Sequence, residues 1–190
     1  SNNKKISNLA VSETGLGNPE DKIMKNKRKT LGLLRDLKNI KTVGVINEDK
    51  EKGIIEIAKP VGIVAAVTPS TNPAATPINN IINALKGRNS IIVSPSPAGS
   101  KVFRDLLILI NNELKKIGAP ENLIQTFNCD VTKELTNELM KNVDLVIVTG
   151  SLNNVREAAK SGTKAIGVGQ GNVTSIVDET ADLVDAFKKI

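Results

Sequence analysis

The stretch from Lys59 to Lys101, KPVGIVAAVTPSTNPAATPINNIINALKGRNSIIVSPSPAGSK, constrains the fold of this chain more than any other. Val61 to Val67 is an unbroken apolar run rich in Val, Ile and Ala, the pattern of a strand covered on both faces of a parallel sheet. It stops at Thr68-Pro69-Ser70-Thr71-Asn72-Pro73, where two prolines bar both ladder pairing and an early helix. Ile78, Ile81, Ile82 and Leu85 then recur at helical spacing, and Gly87 ends that helix. Ser90 to Val93 is the next buried strand, and Ser94-Pro95-Ser96-Pro97 is the next loop. Two loops therefore leave the carboxyl ends of neighbouring parallel strands, the edge at which open α/β sheets bind ligands.

The flanking sequence extends this alternation. Residues 1–14 read as the tail of a helix, stopped at Glu13-Thr14-Gly15-Leu16-Gly17-Asn18-Pro19. Residues 20–39 form a basic amphipathic helix, whose stripe of Ile23, Leu31, Leu34 and Leu37 is expected to lie against the domain. Thr42–Ile46 and Gly53–Ala58 read as a hairpin arm around the charged turn 47–52, able to pair with another part of the protein or another subunit. Downstream come a helix over 98–117, a strand over 123–127 and a short helix over 132–141, capped by Thr132 with Glu134 in its first turn. A strand at 144–148 turns through Thr149-Gly150-Ser151 into another helix. Strands follow at 164–168 and 174–177, and a final helix starts near Asp182. Alternating strands and helices predict an α/β fold with a mostly parallel sheet.

Composition excludes whole classes of chemistry. The chain has no histidine, so Ser-His-Asp and Cys-His catalysis and most zinc sites are out of reach. It has no Trp or Tyr and only 2% aromatics, so base stacking is nearly impossible and no nucleic-acid partner is expected. The net charge of +6 comes mostly from scattered lysines and reads first as a solvated surface. No apolar run approaches the ~20 residues of a membrane span, and no secretory leader is legible. The lone Cys129 excludes an internal disulfide and suits a reducing cytoplasm. It sits beside Asp130 rather than a cation, and reads as a structural or incidental thiol rather than a nucleophile.

Four loops hold the candidate chemistry: 68–73, 94–98, 149–152 and 167–172. Hydroxyls and glycines there let backbone N–H groups approach a phosphate or ribose, and Gly150-Ser151 at a helix start is a candidate pyrophosphate seat. The GxGxxG fingerprint is absent, because GVGQGN is placed between two strands rather than before a helix. From pattern alone, a nucleotide-binding α/β domain and a plain set of structural turns both stand. Lys86 and Lys101 are further candidate phosphate contacts, although exposed lysines seldom do anything specific.

PVGIVAAVTPSTNPAATP, KGRNSIIVSPSP, DLVIVTGS and GVGQGN followed by VDETADL resemble, in that order, the NAD(P)-binding half of the aldehyde dehydrogenase superfamily. LAVSETGLGNPEDKIMKN, KTVGVI and GAPENLIQ resemble its CoA-acylating branch, which includes acetaldehyde, succinate-semialdehyde and sulfoacetaldehyde dehydrogenases. The resemblance implies a Rossmann-like sheet with helices on both faces and a small β-hairpin arm. It also implies the reaction aldehyde + CoA + NAD(P)+ to acyl-CoA + NAD(P)H. Asn72 matches the asparagine whose amide helps hold the oxyanion of the thiohemiacetal; read without the resemblance it is a turn former. Thr68, Pro69, Ser70 and Thr71 match the segment along the nicotinamide ribose and pyrophosphate, and Ser94, Pro95, Ser96 and Pro97 the loop at the adenine ribose. Thr149, Gly150 and Ser151 match the helix start near the pyrophosphate, and Gly169 the loop facing the nicotinamide.

Three departures from the family pattern carry information. Many hydrolytic members have a Lys and a Glu in the adenine-ribose loop, where this chain has Ser94 and Pro97, so the loop does not repel a 2′-phosphate and NAD and NADP both stay open. Val168-Gly169-Gln170-Gly171 supplies no general-base carboxylate, which leaves an acyl-enzyme to a CoA thiol rather than to water. The family's nucleophilic cysteine is expected beyond the DETADL segment, in a catalytic domain absent from this chain. The expected organisation is a helical segment at 1–41, a hairpin arm at 42–58 and a cofactor-binding domain at 59–190 that is inactive alone, acts on a small-molecule aldehyde and belongs to a homo-oligomer. The alternatives are a stand-alone nucleotide-binding or regulatory domain, and a hydrolytic aldehyde dehydrogenase.

Overall fold

The structure, a computed structural model, describes residues 2–169, 171 and 174–189. Helix α1 spans Asn2–Thr14 and α2 spans Pro19–Leu37; the hairpin strands are β1 (Gly44–Asp49) and β2 (Ile54–Ala58). Then follow β3 (Ile63–Thr68), α3 (Ala75–Lys86), β4 (Ser90–Pro95), α4 (Ser100–Lys116), β5 (Ile124–Thr126) and α5 (Lys133–Lys141). The chain continues through β6 (Leu145–Thr149), α6 (Leu152–Lys160), β7 (Ala165–Val168) and α7 (Leu183–Lys189). β3 to β7 form one parallel sheet in the order β5-β4-β3-β6-β7. The chain thus starts in the middle of this sheet, winds to one edge, and returns past its starting strand to the other. That reversal between β3 and β6 is a topological switch point, where a crevice must open outside the strand ends.

β3 shows why an unbroken apolar run was needed. Val64 and Ala66 point to one face, packing with Ile81 and Ala84 of α3 and Val102, Phe103 and Leu106 of α4. Ala65 and Val67 point to the other, against Leu139 and Met140 of α5 and Ala158 of α6. α1 joins the first layer through Ile6 and Ala10. It also reaches across to cap α4: the Glu13 carboxylate accepts from the backbone N–H groups of Lys101 and Val102 at 2.9 and 2.8 Å. At the amino end of the sheet, Gly62 (φ +119°) sits where a Cβ would collide with the Asp144 carboxylate, which accepts from the Ile63 N–H at 2.7 Å.

Several expectations need correction. The buried residues of α2 are Lys22 and Asn26, not the leucine stripe; Leu31 and Leu34 are exposed. The reason is a polar seam, in which the Asn26 amide donates to Asn3 Oδ1 and Ser7 Oγ and the Lys22 ammonium donates to the Thr71 carbonyl. Residues 174–177 form no strand, and Ile176 is 89% exposed. β-propensity needs a partner edge to act on, and no strand pairs with this segment among the described residues. GVGQGN therefore follows a strand without preceding one, and its Gln170 and Asn172 lie outside the described residues. Gly87 caps α3, but the left-handed turn residue there is Arg88, at φ 57°. β1 and β2 pair antiparallel with each other and are exposed almost throughout.

Candidate functional site

A cleft of about 710 Å³ opens at the carboxyl ends of β3, β4 and β6. Thr68, Pro69, Ser70 and Thr71 form one side of it, Ser94 to Pro97 another, and Thr149, Gly150 and Ser151 a third. The structure thus brings together the selected residues of three loops, while Lys86 and Lys101 do not line the cleft and Gly169 packs at the end of β7, where a Cβ would lie 2.9 Å from Leu152. Two of the loops are tied directly, since the Ser96 N–H donates to the Thr68 carbonyl at 3.0 Å.

Two helices aim their amino ends at the cleft. Ser151 caps α6 by accepting from the Asn154 N–H at 3.2 Å, and Thr132 caps α5 by accepting from the Leu135 N–H at 3.2 Å. Gly150 at φ +148° makes the turn that brings the chain from β6 into α6. These helix starts offer partial positive charge and uncommitted N–H groups to an anion.

Thr68 Oγ1 is buried with no hydrogen-bond partner and belongs to the cleft wall. A buried hydroxyl left unpaired costs on the order of 1–3 kcal/mol, so the position calls for a polar partner from a ligand. A ribose-and-phosphate group fits this donor set of hydroxyls, helix starts and glycine backbone.

The sequence reading missed what α5 and α6 bring to the same cleft. Lys133, Glu134 and Thr136 come from α5 and Glu157 from α6. Ser94 Oγ and Thr136 Oγ1 share a hydrogen bond of 2.9 Å, which joins the 94–97 loop to α5. Glu134's own backbone N–H and the Thr132 hydroxyl hold its carboxyl below the usual range. The 94–97 loop carries no carboxylate, yet the cleft has two. The signal was within reach for Glu134, which stands in the first turn of a helix that follows a strand of the sheet.

Asn72 does not line this cleft. It stands just before α3, its carbonyl accepting from the Thr76 N–H at 3.4 Å, and its Oδ1 is buried without a partner. Its neighbour Thr71 lines the cleft on one side and a second cleft on the other. Cys129 is exposed and far from any role as a core thiol. No group of His, Cys, Asp and Glu among the described residues could hold a metal ion.

The aldehyde dehydrogenase family model matches residues 3–190. The chain belongs to that family. An acylating sulfoacetaldehyde dehydrogenase from Cupriavidus necator is 56% identical over 188 residues, covering 99% of this chain and 38% of that protein. A succinate-semialdehyde dehydrogenase (acetylating) from Clostridium kluyveri is 46% identical, over 95% of this chain and 40% of that protein. The crystal structure of an acetylating aldehyde dehydrogenase from Geobacillus thermoglucosidasius superposes with a TM-score of 0.86 at 41% identity, over 90% of this chain and 38% of that one. Within the aldehyde dehydrogenases the resemblance is therefore to the CoA-acylating branch, and this chain spans about two-fifths of the length of these relatives.

Proposed function

We propose that this chain is the cofactor-binding part of a CoA-acylating aldehyde dehydrogenase, with residues 1–41 as a helical segment, 42–58 as a hairpin arm and 59–190 as the dinucleotide-binding domain. The observation that carries the reading is the convergence of the 68–71, 94–97 and 149–151 loops on one cleft at the switch point, with the unpaired Thr68 hydroxyl in its wall. A nicotinamide dinucleotide bound there would supply the hydride acceptor.

The chain's own residues do the rest. The start of α6 behind Gly150 and Ser151 seats the pyrophosphate. Ser94 to Pro97 and α5 border the adenosine end, where the loop itself neither fixes nor bars a 2′-phosphate. Thr68 to Thr71 run along the nicotinamide side. Asn72 donates its side-chain amide to the oxyanion that develops on the aldehyde, at the positive end of α3, where a fixed dipole favours that charge. The attacking cysteine comes from the remainder of the protein, and a CoA thiol takes the acyl group.

Both curated relatives act, by name, on an aldehyde that carries an anion: a sulfonate in one and a carboxylate in the other. The aldehyde belongs to this reading only as a class, a small molecule with a free carbonyl. A reducing cytoplasm suits the exposed Cys129 thiol, and the unpartnered hairpin suits a homo-oligomer.

The deciding assay follows reduced nicotinamide and product on the full-length protein, with and without CoA, in NAD+ and in NADP+. Acyl-CoA formation strictly dependent on CoA is expected. Carboxylate formed without CoA would place the enzyme in the hydrolytic class, and saturable dinucleotide binding with no turnover on any aldehyde would leave a regulatory nucleotide-binding domain.

A further inference from the structure

Helix α4 begins directly behind the Ser94–Pro97 loop of the proposed cofactor cleft, yet it brings no cap of its own. Its N-cap residue is Gly99, which has no side chain to offer. A helix start leaves its first N–H groups without partners inside the helix. Here the Ser100 N–H donates to the Pro97 carbonyl. The next two, from Lys101 and Val102, donate to Glu13 Oε1 at 2.9 Å and to Glu13 Oε2 at 2.8 Å. Each carboxylate oxygen thus takes one N–H, and the negative charge stands at the positive end of the helix. The cap comes from the last turn of α1, 88 residues before Lys101 and outside the 59–190 domain.

Both ends of this contact are fixed. On the α1 side Glu13 is half-buried. Its neighbour Thr14 donates its hydroxyl to the Ala10 carbonyl at 2.6 Å and accepts from the Leu16 N–H at 3.2 Å. Ala10 is buried in the same layer as Val102 and Phe103. On the α4 side the Gly99 N–H donates to the Ser96 carbonyl at 2.9 Å, and the Ser96 N–H donates to the Thr68 carbonyl at 3.0 Å. Gly99 lies so close to Pro73 that a Cβ on it would stand 2.8 Å from that ring. A shift in the first turn of α4 therefore moves Ser96 and Pro97, and through them the 68–73 loop.

The helices that follow β4, β5 and β6 start in different states. α5 and α6 each give one N–H to a cap of their own, from Leu135 and Asn154. α4 gives its first three to Pro97 and Glu13. The start of α4 is thus occupied by the protein itself, and it serves the cleft by holding the loop in front of it.

We infer that Glu13 is a positioning residue for the dinucleotide: by capping α4 it locks the Ser94–Pro97 loop, so that α1 sets the affinity of a cleft it does not line. The inference rests on the proposed cofactor cleft and gives the 1–41 segment a part in it.

The test uses the full-length protein with Glu13→Ala, which removes both acceptors, and Glu13→Gln, which keeps the shape and one of them. Lys5→Gln is the control, because the exposed Lys5–Asp105 pair at 3.0 Å also joins α1 to α4 without touching the loop. Thermal melting checks that each variant is folded; should Glu13→Ala fail to fold, Glu13→Gln carries the comparison alone. The dinucleotide that the parent binds more tightly is titrated beside ADP-ribose, or its 2′-phosphate where that dinucleotide is NADP+. Glu13→Ala is expected to weaken both ligands about tenfold and by the same factor, since the loss lies at the adenosine end. Glu13→Gln is expected to lose less, and Lys5→Gln nothing. With propionaldehyde and CoA, kcat at saturating dinucleotide and KM for the aldehyde are expected to stay unchanged in all three. Unaltered dinucleotide affinity in the folded Glu13 variants, a loss that the ADP-ribose ligand does not share, or an equal loss in Lys5→Gln would overturn the inference. A parent protein that binds neither NAD+ nor NADP+ would instead sink the proposed function, and the inference with it.

Discussion

The two sides of the 68–73 loop are built from different material. The cleft toward β4 and β6 is made of hydroxyls, glycine backbone and helix starts, with Lys133 set against Glu134 and Glu157. The cleft toward α2 is made of long cationic side chains on one helix. The first presents partial charges fixed by the backbone, which suit a large ligand held at many points. The second presents full charges on flexible stems, which suit a small ion that arrives and leaves. The difference teaches that a sheet edge and a helix face supply different recognition chemistry even when a single residue, Thr71, borders both.

The sharpest way to break the comparison is at the partition itself. Asn72→Ala in the full-length enzyme is expected to lower kcat by about 10²–10³, with dinucleotide affinity little changed, as read by steady-state kinetics and cofactor titration. A loss below tenfold would deny Asn72 the oxyanion role.

The proposed cofactor side is tested at Gly150. Its φ of +148° is one that L side chains rarely adopt, so Gly150→Val is expected to cost about 1–3 kcal/mol of stability and to weaken NAD+ binding at least tenfold. Tight binding by a folded Gly150→Val protein would show that the turn into α6 does not seat the dinucleotide.

The α2 side is tested at Lys22. Lys22→Met removes a hydrogen bond to Thr71 but also relieves a buried charge, so the net change in stability is expected to stay within about 1 kcal/mol while kcat falls severalfold. The sign of its pH dependence follows from its pKa, which burial, and then the charge of Lys25, press below the ordinary lysine value. Between that value and the ordinary 10.5 the unfolded chain holds a proton that the folded one has released, so Lys22 makes stability rise with pH through that window. Lys22→Met should remove the rise, and denaturant melts above pH 9 would reveal an unaltered slope if the reading is wrong.

The smallest effect is expected at Glu134. Its carboxyl is held low by its own backbone N–H and the Thr132 hydroxyl. It therefore adds stability that is present above the ordinary carboxylate pKa of about 4.3 and lost as pH falls through the lowered value. Glu134→Gln should slightly flatten the acid limb of a stability profile, and an identical limb in both proteins would remove it from the cap of α5.

Much of the fold was legible because strands covered on both faces must be apolar throughout. Val64 to Val67 and Val146 to Val148 advertise that requirement in any context. The cap at Thr132 was legible too, since a hydroxyl before a helix satisfies a local demand for N–H partners, and Ser151 was legible as a helix start. The apolar residues of α2 misled. Leu31 and Leu34 repeat at helical spacing, yet Lys22 and Asn26 are the buried residues, because their partners Thr71, Asn3 and Ser7 are distant in sequence. The strand expected at 174–177 failed for a related reason: pattern reports propensity, and pairing requires an edge that only the assembled sheet can offer.

The sequence by itself determined the α/β alternation, the two proline-bounded loops, the absence of histidine chemistry and the family to which the loops belong. The first three follow from local spacing or from composition, which no packing can alter, and the family from the resemblance of the loop motifs to those of known members. Only the tertiary structure decided that Thr68 lacks a hydrogen-bond partner, that Glu134 and Glu157 share the cleft with Ser94, and that four cations of α2 gather beside Thr71. These facts depend on which distant segments the strand order brings together. The reversal between β3 and β6 opens the first cleft, and the bond from Lys22 to Thr71 binds the second to it across 49 residues of sequence.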